Sequence, residues 1–302
     1  MKMKLFYSIC IGCIMLFQNC NQKKKETVTQ KETVTPTTEV QTFKLEEAWA
    51  TEPLLKTPES VIYDEARDVL YVSNVNENPW EKDNNGFIAK ISTSGEILEL
   101  DWVSGFSGPK GMAILDNKLF VADLDEVGII DIEAGELIEK IKIDGASGLN
   151  DITPGENGIL FISDSNEGKL YQYLDGEITI LHNDTPGRPN GLLMYQNKLL
   201  VAFSQASEFV SFELGSLNKT IIATDIGGGD GITPTNEEGK FLVSDWNGEI
   251  FMIDLNGEKQ SLLNTKDQSK NTADIWFILE ENLVLVPTFF DNRIVAYKLI
   301  KE

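Results

Sequence analysis

Similar motifs recur at a nearly constant interval through most of the chain, and this interval limits the possible folds more than any other feature. Six units begin at Glu59, Lys110, Asn150, Asn190, Asp230 and Ala273. Their starts are separated by 51, 40, 40, 40 and 43 residues. Within each unit, short apolar runs alternate with Gly, Asn and Asp turns, and no long window has a helical period. Repeats of about this length with several short strands are typical of propeller blades, whereas a β-sandwich would not repeat its first motif.

The repeat therefore predicts an all-β chain that folds as a six-bladed β-propeller. The first unit is longer than the others because of an insertion between Asn74 and Gly86, which we expect to form a loop on one face. We also expect the segment from Phe43 to Pro53 to be a strand that completes the last blade, beside a strand over residues 292–300. Pairing of this kind would remove the exposed edges of an open sheet.

The N-terminal residues have the composition of an export signal followed by a tether. Lys2 and Lys4 precede an apolar run that is too short to span a bilayer, and Cys20 follows it. This arrangement resembles a bacterial lipoprotein signal, which implies lipidation of Cys20. We predict a lipoprotein-type signal peptide over residues 1–19, a lipid-anchored flexible linker over 20–43 and the propeller over 44–302. The linker is rich in Thr, Lys, Glu and Gln and cannot bury a core.

The net charge of the chain limits the classes of molecule that it is expected to bind. The chain has 48 Asp and Glu residues against 26 Lys and Arg, a formal net charge of −22. No basic stretch could neutralise the phosphates of nucleic acid, so nucleic acid is excluded as a partner. The membrane would be contacted only through the lipid anchor, which predicts a lipoprotein of the cell envelope on its periplasmic or outer-surface face. With Cys20 acylated and the other two cysteines in the signal, no cysteine-based zinc site or thiol nucleophile is expected.

The first position of each unit is the strongest candidate for function. The innermost strand of a propeller blade lines the central channel, so equivalent positions converge near one axis. Here they supply two carboxylates, two amides and a lysine, which are costly to bury without partners. Carboxylate and amide oxygens are ligands that Ca²⁺, Mg²⁺ and Mn²⁺ accept. The alternative is that Asn190 and Asp230, each followed by Gly, only form turns.

Four motifs, PES, GLND, RPNG and GGDG, occur in this order in the first, third, fourth and fifth units. In order and spacing they resemble the gluconolactonase family of senescence-marker-protein-like lactonases, from residue 46 to the C-terminus. The resemblance implies a six-bladed propeller with one divalent metal ion, Ca, Mn, Mg or Zn, in the channel. It implies Glu59, Asn190 and Asp230 as metal ligands and Asn150 as a substrate-binding residue. We find no counterpart of the arginine with which some members of that family hold a sugar acid.

The leading hypothesis is a metal-dependent hydrolase of a lactone or related ester, with Asp230 as the catalytic base and a small molecule as substrate. Lys110 would either bind an anionic group of the substrate or pair with Glu59. One alternative is a non-catalytic ligand- or protein-binding propeller displayed on a lipid anchor, and another is a metal that only braces the channel. The chain's only histidine, His182, is expected in a blade connection, which gives a histidine-based mechanism no support.

Three further sets of residues are expected to have structural or supporting roles. Aspartates that end a strand in several units predict a turn or strand-capping role: Asp123, Asp164 and Asp245. Aromatic residues of the sixth unit are expected mainly in the core, with a pocket wall as the alternative: Trp276, Phe289 and Phe290. Asp151 and Asp274 follow the first position of their units and would support the ligands or the fold.

Overall fold

The structure, a computed structural model, describes residues 41–183 and 185–302. The predicted signal peptide, most of the predicted linker and Cys20 lie outside the described residues. In the part that is described, the strands form six antiparallel sheets of four strands each. They are the blades of a six-bladed β-propeller, so the predicted all-β fold and blade number are confirmed.

The first five blades are each made of four consecutive strands, of which the first is the innermost. These strands are β2 (Pro58–Asp64), β3 (Val69–Asn74), β4 (Gly86–Ser92) and β5 (Ile97–Phe106) in blade one; β6 (Pro109–Leu115), β7 (Lys118–Asp123), β8 (Glu126–Asp131) and β9 (Glu136–Lys142) in blade two; β10 (Leu149–Pro154), β11 (Leu160–Asp164), β12 (Lys169–Leu174) and β13 (Glu177–Asn183) in blade three; β14 (Pro189–Tyr195), β15 (Lys198–Phe203), β16 (Glu208–Glu213) and β17 (Lys219–Thr224) in blade four; and β18 (Gly229–Pro234), β19 (Lys240–Asp245), β20 (Glu249–Asp254) and β21 (Lys259–Asn264) in blade five.

The sixth blade joins the two ends of the described chain. Its strands, from the inside outward, are β22 (Trp276–Ile278), β23 (Leu283–Pro287), β24 (Ile294–Lys301) and β1 (Phe43–Ala50). β1 pairs antiparallel with β24, from Phe43 opposite Lys301 to Ala50 opposite Val295. The predicted N-terminal strand is thus present and completes the last blade, although it ends three residues earlier than expected. Short 3-10 turns occupy Glu156–Gly158, Lys266–Gln268 and Phe289–Asp291.

The hydrophobic core lies between neighbouring blades. Side chains of a strand alternate between the two faces of its sheet, so each blade can pack against both neighbours. In β3, Leu70 and Val72 belong to a buried cluster shared with blade six, whereas Val69 and Tyr71 belong to one shared with blade two. Comparable clusters join each of the other neighbouring pairs. This explains why whole strands, such as β3, are buried along their length.

No helix within residues 41–183 or 185–302 combines the length and the apolar character that crossing a membrane requires.

Candidate active site in the central channel

The first five predicted unit starts occupy one equivalent position, the second residue of an innermost strand. They are Glu59 in β2, Lys110 in β6, Asn150 in β10, Asn190 in β14 and Asp230 in β18. At this position the pairing register with the next strand is interrupted in all five blades. The interruption takes these residues out of the regular ladder. The sixth start, Ala273, differs: it precedes β22 and packs beside Val75 and Phe289 instead of lining the cavity.

The glycines that follow Lys110, Asn190 and Asp230 allow innermost strands to approach each other closely. A Cβ atom at Gly191 would lie 1.8 Å from the carbonyl oxygen of Asp230, and one at Gly231 would lie 2.4 Å from the amide nitrogen of Ile275. Neither glycine is in a turn, since both lie inside strands. The alternative in which Asn190 and Asp230 only form turns is therefore wrong, and the glycines are required because any side chain would collide with the next blade.

The five residues share one cavity of about 420 Å³ at one end of the channel. All five are buried, with 2–8% of their surface exposed. Other elements complete the wall: the loop between β3 and β4, the segments that precede β14 and β18, and the loops that follow β11, β15, β19 and β23. Their lining residues are Glu77, Pro79, Trp80, Ser165, Arg188, Ser204, Gly228, Trp246, Asn247, Phe289 and Phe290. The predicted insertion loop thus forms part of the site.

Each predicted metal ligand has a buried oxygen that no described group satisfies. These atoms are Glu59 Oε2, Asn190 Oδ1 and Asp230 Oδ1. A buried oxygen without a hydrogen bond is unfavourable, and one from each of three residues in one cavity is a set of donors for a hard cation. The described residues contain no group of three or more His, Cys, Asp or Glu side chains arranged to hold a metal. A metal ion held here would therefore need the amide of Asn190 as a third ligand beside the two carboxylates.

The carboxyl groups of the channel titrate far from their usual range. Burial, followed by the charge of Asp230, raises the pKa of Glu59 well above its ordinary value. Burial and the charge of Asp151 do the same to the pKa of Asp230. Burial lowers the pKa of Lys110, and the charge of Glu59 partly offsets this. A bound cation would favour the charged carboxylates, because an opposite charge stabilises the ionised form.

Asn150 is held by its amide nitrogen. Nδ2 donates to Ser165 Oγ at 3.1 Å, and that hydroxyl donates to the carbonyl of Pro189 at 2.6 Å. The amide oxygen is the acceptor of the Asn150 side chain, so it is the group that can accept a hydrogen bond from a ligand. The position and orientation fit the predicted substrate-binding role, which stays a prediction.

Lys110 holds the insertion loop. Its Nζ donates to the carbonyls of Pro79 at 2.9 Å and Gly108 at 2.8 Å, and lies 4.4 Å from the centre of the Trp80 ring. Among the described residues it forms no ion pair with Glu59, which was one of the two predicted roles. The ammonium group lines the cavity with two of its three N–H donors engaged, so one remains for a ligand.

Several residues of the cavity wall were not predicted from the sequence. Arg188 precedes Asn190 by two residues, has left-handed backbone (φ 61°) and faces the Trp80 ring at 5.7 Å. Arg188 belongs to the RPNG motif, but only the Asn-Gly pair of that motif had indicated a functional site. Phe290, expected mainly in the core, is 63% exposed and packs edge-on against Trp246 at the cavity wall. Trp276 lines a different cavity, at the Asp151 level of the channel.

Below this site, a second level of the channel carries Asp151 and Asp274. Asp151 accepts hydrogen bonds of 2.6 Å from the amides of Ile152 and Leu192, and so joins β10 to β14. Asp274 accepts a 2.6 Å hydrogen bond from Ser60 Oγ. Burial raises the pKa of Asp151 to about 6 and that of Asp274 well above its usual range. Both carboxylates therefore connect innermost strands of different blades.

The remaining expectations concern residues away from the cavity. Asp123, Asp164 and Asp245 accept backbone N–H groups of the segment that enters their own blade from the preceding one, the structural role expected of them. His182 lies in the outermost strand β13, not in a blade connection as expected, and its ring packs 5.5 Å from that of Phe212. It does not line the cavity.

No family model and no curated protein matches the sequence. Solved structures are similar: a protein provisionally assigned as a gluconolactonase is 16% identical, with a TM-score of 0.65 over 86% of this chain and 95% of that chain. Virginiamycin B lyase from Staphylococcus aureus is 14% identical, with a TM-score of 0.64 over 86% and 100%. Its catalytically inactive histidine-to-alanine variant with quinupristin gives 0.62 at the same identity and coverage. At these identities, the similarity establishes a shared six-bladed propeller fold.

Proposed function

We propose that the chain is a hydrolase of a lactone or related ester, with one divalent metal ion held by Glu59, Asn190 and Asp230. The observation that carries this proposal is that these three residues line one cavity and that each has a buried oxygen without a hydrogen-bond partner. When bound, a divalent cation such as Ca²⁺, Mn²⁺, Mg²⁺ or Zn²⁺ would supply Lewis acidity to an ester carbonyl.

Several residues of the cavity have separate roles in the reaction. Asp230 accepts the proton of the attacking water as the general base, because a bound cation keeps its carboxylate ionised. Asn150 orients the substrate through its amide oxygen. Lys110 contributes a positive charge beside the reacting group. The wall that includes Trp80 and Phe290 restricts access of bulk water, which strengthens these polar interactions.

One observation favours hydrolysis over the chemistry of the structurally similar lyase. The variant of that lyase described as catalytically inactive lacks a histidine. In this chain the only histidine, His182, is on an outer strand and does not line the cavity. Hydrolysis assisted by a metal needs no histidine, because carboxylate and amide oxygens can hold the cation.

The test is a screen of lactones and esters with the full chain, with a chelator and after addition of Ca²⁺, Mn²⁺, Mg²⁺ or Zn²⁺. We expect turnover that the chelator abolishes and one of these metals restores. Asp230→Ala should lose both turnover and metal binding, measured as Mn²⁺ affinity by titration calorimetry. The matched control is Asp267→Ala, an exposed aspartate on the surface of blade five. Full activity of Asp230→Ala would refute the proposal.

The alternative, a non-catalytic propeller that binds a ligand or protein, predicts a different result in the same assays. Metal binding would still require Asp230, but the protein would hydrolyse no ester. In either case we propose display from the cell envelope by a lipid on Cys20. Metabolic labelling with a radioactive fatty acid should mark the wild-type chain and not a Cys20→Ala variant, and equal labelling of the two would exclude that site.

A further inference from the structure

Arg188 differs from the other two arginines of the chain in what its guanidinium contacts. The guanidinium of Arg67 lies 2.9 Å from an aspartate oxygen, and that of Arg293 lies 3.7 Å from another. Arg188 Nη2 instead donates to the amide oxygen of Asn166 at 3.2 Å. Within the described residues it forms no ion pair with a carboxylate. In a chain with a net charge of −22, an exposed guanidinium at a cavity with no such partner is unusual.

The backbone around Arg188 is fixed. Its carbonyl accepts hydrogen bonds from the backbone amide of Ser204 at 3.0 Å and from the hydroxyl of the same residue at 3.3 Å. The two bonds hold the left-handed conformation of Arg188, which a non-glycine residue seldom adopts. The guanidinium therefore extends from a defined point on the wall of the cavity.

Trp80 faces Arg188 from the insertion loop and is itself held in place. Lys110 binds the carbonyl of the preceding residue and lies over the indole ring. On the outer side, Lys82 pairs with Asp125 of blade two, which attaches the loop to the neighbouring blade. The indole thus forms a fixed wall beside the guanidinium, and a wall that displaces water strengthens an ion pair formed next to it.

We propose that Arg188 and Trp80 form a subsite for a carboxylate or phosphate group of the ligand. The planar N–H fork of a guanidinium matches the paired oxygens of either group, and hydrogen bonds between charged partners are the strongest available there. This inference deepens the proposed function and rests on it for the class of substrate, an anionic ester or lactone. Lys110 holds the wall of the subsite, and Arg188 binds the anion.

The position of Arg188 limits the distance between the anionic group and the reacting carbonyl. Arg188 and the metal ligand Asn190 are two residues apart, so their Cα atoms are separated by at most about 7 Å. Both side chains line the same cavity. A compact substrate, with its carboxylate or phosphate a few bonds from the ester carbonyl, can therefore contact both residues at once.

The experiment follows the five tryptophan indole N–H signals of the full chain by ¹⁵N–¹H NMR. The Trp80 signal is assigned by its loss in Trp80→Phe. Sodium acetate, inorganic phosphate and the neutral acetamide are titrated into protein that has been stripped of metal with EDTA and then dialysed free of it, so that no anion can coordinate a metal and the carboxylates of EDTA do not compete. Arg188→Gln removes the proposed anion ligand, and Lys118→Gln removes the same charge from an exposed strand end.

We expect acetate, phosphate or both to move the Trp80 signal saturably, whereas acetamide leaves it in place. A response to acetate alone assigns the subsite to carboxylates, and one to phosphate alone assigns it to phosphates. Arg188→Gln should weaken the response at least about tenfold, the loss expected for one charged hydrogen-bonded pair. Lys118→Gln should keep it.

Three results would overturn the subsite: no response to either anion, an equal response to acetamide, or an unchanged response in Arg188→Gln. The readout requires neither turnover nor metal. A failed search for hydrolysis would therefore leave a positive anion response standing, and a missing response would leave the metal site untouched.

Discussion

Glu59 and Asp230 place two carboxyl groups in one buried cavity, and each has an oxygen without a hydrogen-bond partner among the described residues. Buried like charges disfavour each other's ionised forms, and the folded state bears that cost. A cation would offset it by direct coordination. A comparison of the protein's stability with and without metal therefore tests whether these two side chains bind a cation.

Asp230→Asn removes one of the two charges with little change in shape. Without metal, we expect the variant to melt at the same temperature as the wild type or higher, because a repulsion is lost. With Mn²⁺ or Ca²⁺ in excess, only the wild type should gain stability, by about 3 kcal/mol when the metal is at 100 times its dissociation constant. Thermal unfolding with EDTA and with metal measures both effects. A variant that is strongly destabilised in EDTA would show that Asp230 has a structural role instead.

The same carboxyl groups predict how the metal-free protein responds to pH. Burial raises the pKa of Glu59 and Asp230 well above the ordinary values of 4.5 and 3.8, and that of Asp151 to about 6. The folded chain keeps protons that the unfolded chain releases, so unfolding is favoured as pH rises. The free energy of unfolding should fall from about pH 4 through pH 6 and beyond.

Urea unfolding in EDTA across this range measures the slope. Asp230→Asn should flatten it, and the exposed Asp267→Asn should not. Excess metal should flatten it as well, because coordination favours the ionised forms. A slope that is the same in all three proteins would mean that the channel carboxyls do not cause it.

The sequence predicted that the candidate ligands would lie together in the channel, because they share a phase in the repeat. Glu59, Asn190 and Asp230 occupy equivalent positions of blades one, four and five, and each supplies an oxygen ligand at that position. Arg188 and Trp80 were missed because they lie outside the repeated strands, one just before β14 and the other in an insertion. Their place at the cavity depends on how loops of different blades meet, which no local pattern encodes.

At the scale of strands, the innermost strands pack so closely that their glycines cannot be replaced. Asn-Gly and Asp-Gly pairs ordinarily indicate turns, and locally nothing in the sequence contradicted that interpretation. In the structure both pairs lie within strands, and the glycine leaves room for the next blade. A contact between neighbouring blades, and not a turn, is therefore the reason that glycine follows Asn190 and Asp230.

Gly191→Ala tests this close approach. The added Cβ would lie 1.8 Å from the carbonyl oxygen of Asp230, so β14 and β18 must separate. We expect a loss of about 2–4 kcal/mol in the free energy of unfolding, near the upper end for overpacked cores. The metal affinity should fall as well, because Asn190 and Asp230 move apart.

Gly228→Ala is the matched control for this substitution. A Cβ at Gly228 would lie 3.2 Å from the movable amide of Asn247, and its backbone needs no left-handed conformation. It should cost less than about 1 kcal/mol, because only a movable side chain has to shift. Urea unfolding and Mn²⁺ titration compare the two variants, and equal losses would contradict the explanation.

At the scale of the whole molecule, the distances between the residues of the site depend on the ring of six blades staying closed. Five ligand or lining positions come from five different blades, so a shift of one blade against its neighbour changes the distances between them. The ring is closed in blade six, where β1 and β24 come from opposite ends of the described chain. The sequence predicted this closure, with a strand between Phe43 and Pro53 that completes the last blade beside the C-terminal strand.

A chain that begins at residue 51 lacks β1 and tests the closure, with a chain that begins at residue 41 as its control. Loss of β1 exposes the edge of β24 and removes Phe43, which is 5% exposed, from the core between blades five and six. Burial of one such side chain contributes about 1.5–3 kcal/mol, and the lost strand pairing adds to this. We expect a lower melting temperature and self-association through the free edge, measured by light scattering. Metal binding should weaken too, although β1 contacts no ligand, because blade six is no longer held against its neighbours. A shortened chain that stays monomeric and binds Mn²⁺ as tightly as the control would show that the ring is held by packing between blades alone.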